Sequence, residues 1–297
     1  MVIQRSPQAQ VNRWRRSFKS VFLMVIALFT LPVVQAADTE SVRMGVFPYL
    51  STRALLDVYE PVRLFLMEEM GRPVNLFTAP NYKAHANRTA RSEFDILITP
   101  PHFAHFARLA QREAGYLPLA LYTRELHSIV VVANNSVIRS LQDLQGMRVA
   151  TPSRLALVTI VGRQLFRDGG LSPDNGVVML SGASHANAVL AVQRGEAEAA
   201  ITEHSALAQM PKELRNSVRV IAQSGALPHV MYLGHQRLGQ AQLERLKAAL
   251  LKFPATVAGR QFLANTGSEG LRPINEVDLK GMDPYIDEFK RLLENEK

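Results

Sequence analysis

Cysteine is absent from the chain. That excludes disulfides, thiolate-bound metal and a lipid anchor on a cysteine, so the fold must rest on its apolar core alone. Beyond one apolar run near the N-terminus, no second stretch approaches the length of a membrane span. The sequence holds no internal repeat and no low-complexity linker. A basic stripe interleaved with aromatics is also missing, which argues against nucleic-acid binding. Neither a G-x-S-x-G elbow nor an H-E-x-x-H helix occurs, and no nucleophile has a base at a recognisable spacing. An enzyme is therefore not expected.

Residues 1–36 read as an address. Arg5, Arg13, Arg15, Arg16 and Lys19 precede the apolar run Val21 to Leu31, and Pro32-Val33-Val34-Gln35-Ala36 supplies small residues for cleavage after Ala36. Those are the parts of a secretory signal. Arg15-Arg16-Ser17-Phe18-Lys19 partly fits a twin-arginine pattern, and the general secretory route remains open beside it. The formal net charge of +8 comes largely from this segment, since 29 basic against 26 acidic residues lie beyond it. A periplasmic protein, monomeric and without cofactor or metal, is expected.

The remainder alternates in period. Val42 to Val46, Pro73 to Thr78, Phe94 to Ile98 and Tyr116 to Tyr122 read as strands, separated by helices at Ala54 to Met70, Tyr82 to Arg91 and His102 to Gln111. Pro61 is read as a marker of where the first helix starts. This βαβαβ order predicts a mostly parallel sheet. A second unit follows, with strands at Ser128 to Ala133, Met147 to Ala150, Val177 to Leu180 and Ala199 to Thr202, and helices at Leu155 to Arg167 and Ser184 to Arg194. Ser140 and Asp143 occupy capping-box positions ahead of Gly146. Strands Val218 to Ala222 and Val230 to Leu233 then lead to helices Gln240 to Phe253, Ala255 to Leu263 and Tyr285 to Leu293. The α/β chain thus divides into residues 37–123 with 225–297 as one domain and 124–224 as the other, with crossovers near Thr123 to Leu126 and Gln223 to Pro228 as hinge. A ligand cleft is expected between the two domains.

Site candidates follow from strand ends and helix starts, where unpaired backbone N–H groups meet one crevice. Tyr49 follows the first strand and offers an amphipathic ring. His102 lies in the turn after Phe94 to Ile98. Ser153 and Arg154 precede the helix from Leu155, whose dipole favours an anion. His185 and Glu203 stand at the starts of two further segments. His102 and His105 are three apart, yet no carboxylate or third histidine completes a zinc set. Glu203 also reads as a simple helix-capping acid.

Val42-Arg-Met-Gly-Val-Phe-Pro-Tyr49, Phe94-Asp95-Ile96, Ser140-Leu-Gln-Asp-Leu-Gln-Gly146 and Leu180-Ser-Gly-Ala-Ser-His185 occur in that order. In this the chain resembles the phosphate/phosphite/phosphonate-binding proteins of ABC importers, which are two-domain, clamshell type II periplasmic binding proteins. The resemblance implies capture of a small anionic or zwitterionic ligand for an ABC permease. The same clamshell serving a sensor histidine kinase is the alternative. It further implies that His185 faces the ligand and that Glu203 meets an amino or other polar end. One departure is visible: the family's hydroxyl-rich serine/threonine-x-serine-glycine run aligns with Arg154-Leu155-Ala156-Leu157. Either Arg154 replaces the lost donors with its planar fork, or it is solvated.

Overall fold

A computed structural model describes residues 41–110, 115–182 and 184–296. The expected export segment at residues 1–36 lies outside them. Among the described residues no helix is long and apolar enough to cross a membrane.

The chain opens with β1 (Val42–Val46) and α1 (Thr52–Met70). Ser51 starts α1 by accepting the Ala54 N–H at 3.4 Å, and Gly71 ends it with a left-handed φ of 60° that a side chain would strain. Leu55, Tyr59, Val62, Leu66 and Met70 form the buried stripe. Pro61 sits inside this helix and does not mark its start. The missing proline N–H costs about 3 kcal/mol in an isolated helix, a loss that the long buried stripe offsets.

β2 (Val74–Phe77), α2 (Tyr82–Ala90), β3 (Ile96–Thr99), α3 (Pro101–Ala110) and β4 (Tyr116–Tyr122) follow. The second stretch comprises β5 (Ser128–Ala133), β6 (Arg148–Thr151), α4 (Leu157–Asp168), β7 (Val178–Ser181), α5 (His185–Gln193), β8 (Ala199–Glu203), the short α6 (His204–Ala208) and α7 (Lys212–Arg215), and β9 (Val218–Gln223). Then come β10 (Met231–His235), α8 (Gln240–Lys252), α9 (Val257–Thr266), β11 (Leu271–Arg272), α10 (Glu276–Lys280) and α11 (Asp283–Glu294). Ser140 lies ahead of a single 3-10 turn, Gln142–Leu144, and within it the Asp143 carboxylate accepts the N–H groups of Arg139 and Ser140.

The strands make two sheets, ordered β11-β4-β10-β3-β1-β2 and β7-β6-β8-β5-β9. Both are mixed. β1 pairs in parallel with β2 and β3, but β10 runs antiparallel between β3 and β4, and β11 pairs antiparallel with β4. The expectation of a mostly parallel first sheet is corrected here: β4 finds its partner in a strand more than a hundred residues away, which no local period encodes. In the second sheet β6 is parallel to β7 and β8, whereas β5 is antiparallel to β8 and β9.

Both faces of the central strands are covered. Val130 and Val132 of β5 join the largest apolar cluster, while Ile129 and Val131 join a second on the opposite face. Ile96 and Ile98 of β3 divide from Leu97 in the same way. This is the two-residue period of a strand buried on both sides, which is why these strands read as unbroken apolar runs. The chain crosses between the sheets after β4 and again before β10. There Leu126 and Leu227 form an antiparallel bridge, each N–H donating to the other's carbonyl at 2.8 and 2.9 Å.

Candidate functional site

Between the two sheets lies a cavity of about 370 Å³, a size suited to a small solute. Its walls come from segments that follow strand C-termini: Phe47 and Tyr49 after β1, Pro100 and Pro101 after β3, Glu203 at the end of β8. Leu126, His229 and Val230 of the two crossovers close one side. Phe47 and Tyr49 stack with centroids 4.6 Å apart, and Tyr82 meets Phe47 edge-on at 6.2 Å. Neither lysine nor arginine is among the lining residues.

Several helices begin at this cavity, α2, α3, α4 and α5 among them, and their first turns differ. Asn81 caps α2 by accepting the Ala84 N–H at 2.8 Å, and Ser184 caps α5 by accepting that of Asn187 at 3.2 Å. In α3, Pro101 occupies the first position and brings no N–H. α4 starts at Ala156, whose side chain makes no cap hydrogen bond, and Ala156, Leu157 and Val158 line the cavity. The first N–H groups of a helix have no intrahelical acceptor. α4 therefore presents N–H donors that no side chain caps, and the positive end of its dipole, to the cavity.

Opposite in charge is Glu203. Its side chain is 13% exposed, Oε1 accepts the Ser205 hydroxyl at 2.7 Å, and Oε2 lies 3.4 Å from His229 Nε2 without a hydrogen-bond partner. His229 Nδ1 accepts the Val230 N–H at 2.9 Å, which leaves Nε2 to face the carboxylate. Burial pushes the Glu203 carboxyl up, but His229, His185 and the Ser205 hydroxyl outweigh it and hold it down at about 2. It is an anion at neutral pH. His185 bonds Thr202 Oγ1 through Nδ1 at 3.0 Å, and burial lowers its pKa against the opposing pull of Glu203.

Of the expected site residues, Tyr49, His185 and Glu203 come together on the cavity wall, while His102, Ser153 and Arg154 are not among its lining. His102 is buried, and its Nε2 bonds the Leu155 carbonyl at 3.0 Å. Burial takes its pKa to about 3, against the smaller effect of that bond, so the neutral ring donates and ties α3 to the turn before α4. Ser153 shapes the same turn: Oγ accepts the Leu155 N–H, and the carbonyl accepts the Ala156 N–H and the Thr159 hydroxyl. Leu155 takes the buried place in this turn and Arg154 the exposed one. Glu203 stands at the capping position of α6, yet its carboxylate makes no backbone cap hydrogen bond. His105 pairs with Asp283 at 2.6 Å, apart from His102, and no group of three metal-ligating side chains occurs among the described residues. The sequence reading missed Phe47, Tyr82, Ser205 and His229. Only Ser205 carried a local signal, two residues from Glu203; the others reach the cavity through the fold.

A family model described as "ABC transporter, phosphonate, periplasmic substrate-binding protein" matches residues 44–279. The sequence matches no curated protein. Among solved structures, PhnD1 of Prochlorococcus marinus in complex with methylphosphonate is similar with a TM-score of 0.75 at 15% identity, over 87% of this chain and 100% of that one. A binding-protein component of an ABC phosphonate transporter from Pseudomonas aeruginosa gives 0.72 at 18% identity, over 86% and 88%. A Xanthomonas citri protein bound to chloride gives 0.72 at 16%, over 85% and 99%.

Proposed function

We propose, from the premise that this chain belongs to the periplasmic substrate-binding protein family of phosphonate ABC transporters and has its two-domain type II fold, that it captures a small zwitterionic solute in the cavity between its sheets. The family is one of substrate-binding proteins, not enzymes. The captured solute, a phosphonate-, phosphite- or phosphate-like oxyanion with a positive end, is delivered to an ABC permease by a monomer in the periplasm. The domains are taken as residues 37–123 with 225–297, and 124–224, a division supported by the membership of the two sheets and the paired crossovers at Leu126 and Leu227.

The observation that carries this reading is the polarity of the cavity, with uncapped N–H donors at α4 and the buried carboxylate of Glu203 in the same wall. An oxyanion alone would be met by the donors and repelled by Glu203. A ligand with a positive end satisfies both, and its positive end relieves an acceptor that is costly to leave bare. Tyr49, His185 and Glu203 touch the ligand in this reading. His102 and Ser153 act through the shape of the turn that presents Ala156, and Arg154 stays in solvent.

A thermal-shift screen tests it. 2-Aminoethylphosphonate is expected to raise Tm more than methylphosphonate, phosphite or phosphate at equal concentration, since a ligand that binds only the folded state stabilises it by mass action. A protein whose Tm responds to none of these solutes is not a receptor of this class.

A further inference from the structure

We propose that the ligand carries, besides its two charged ends, a hydrocarbon group of several carbons, an alkyl or aryl substituent seated against apolar walls of the cavity. This rests on the solute-receptor reading above and narrows its class of solute. From the segments of the first sheet come Phe47 and Leu50 after β1 and Val58 of α1; from those of the second come Leu157 and Val158 in the first turn of α4 and Met210 beyond α6. Leu50 stands 42% exposed and Val58 is half-buried, so both keep apolar surface that a solute can cover.

The polar side chains of the lining lie elsewhere. His229, His185 and Ser205 surround Glu203, while Gln209 and Asn265 are exposed. Space points the same way: the volume of about 370 Å³ equals about twelve waters, whereas 2-aminoethylphosphonate has about seven non-hydrogen atoms. A short, wholly polar solute would leave the remainder to water held against apolar side chains. A hydrocarbon releases that water, and each methylene it buries favours binding by about four-fold. Leu157 and Val158 belong to the same first turn of α4 that is proposed to meet the anion, so even a short branch beside the phosphorus reaches an apolar wall.

Calorimetric titration with 1-aminoethyl-, 1-aminobutyl- and 1-amino-2-phenylethylphosphonate tests the inference, because the three share both charged ends and differ only in hydrocarbon. 2-Aminoethylphosphonate is run alongside. The aminobutyl compound is expected to bind about ten-fold tighter than the aminoethyl one, and the phenyl compound tighter still. In a protein carrying both Leu50→Ser and Val58→Thr, the butyl-to-ethyl affinity ratio is expected to fall by about three-fold or more. A longer chain that binds no tighter than the shorter overturns the inference, and 2-aminoethylphosphonate that still binds leaves the receptor reading standing. A ratio unchanged in the variant also overturns it, since the hydrocarbon then lies off these walls. Binding of none of the four solutes overturns both.

Discussion

A carboxylate enclosed by aromatic rings keeps its charge only where neighbours stabilise it, and for Glu203 they are His229, His185 and Ser205. Two other buried groups go the opposite way. His85, which contacts Thr99 Oγ1 at 3.2 Å, and His102 are both fully buried, and burial lowers each to about 3. Their folded pKa lies below the unfolded value, so between about pH 6.5 and 3 the unfolded chain binds more protons and stability falls as pH falls. Between pH 6.5 and 5 each histidine is expected to cost about 1.6 kcal/mol. Urea midpoints measured at the two pH values check this, and His85→Gln should remove part of the difference. A stability independent of pH in that window would contradict the buried neutral state of both rings. At this scale the cavity placement of Tyr49, His185 and Glu203 was legible because each lies at or just beyond a strand end or at a helix start. Arg154 was read as either an anion contact or a solvated residue, and it lies exposed, with Leu155 in the buried place beside it.

Among the elements, α11 has a task its sequence does not advertise. It packs against α3 and α4, with Phe289 among His102, Phe103 and Phe106. On its other side Glu288 meets Arg163 of α4 at 2.6 Å, and the Arg163 guanidinium, 7% exposed, also bonds Asp174 at 2.5 Å. Breaking a buried pair from one side leaves an uncompensated charge and costs about 3–5 kcal/mol. Glu288→Ala is expected to destabilise by less than that range, because Arg163 keeps Asp174, whereas Arg163→Met with Glu288→Leu should cost less than the single change. Denaturant titration of both variants checks this, and a double variant weaker than Glu288→Ala would contradict it. The 3.6- and 2-residue periods revealed most helices and strands, since these patterns are set by each segment's own burial. Strand direction was not legible. β10 inserts between β3 and β4 from far along the chain, and Pro61 was misread because a proline inside a helix is tolerated only where tertiary packing compensates.

For the whole molecule, two mixed sheets joined by paired crossovers place an uncapped helix start and a buried carboxylate in one cavity. That juxtaposition belongs to the assembled fold, because α4 begins and β8 ends more than forty residues apart. In the proposed reading, the absence of side-chain hydroxyls at Arg154-Leu155-Ala156-Leu157 leaves the anion to the backbone and moves the balance of recognition toward Glu203. The most direct measurement is calorimetric titration of 2-aminoethylphosphonate against the native protein, Glu203→Gln and Arg154→Ala. Glu203→Gln is expected to weaken binding by about 1.5–3 kcal/mol, the range for a hydrogen bond to a charged group, with Arg154→Ala unchanged within about two-fold. Loss of affinity in Arg154→Ala, with Glu203→Gln binding as the native protein does, would put the ligand at the exposed turn and contradict a site in the cavity.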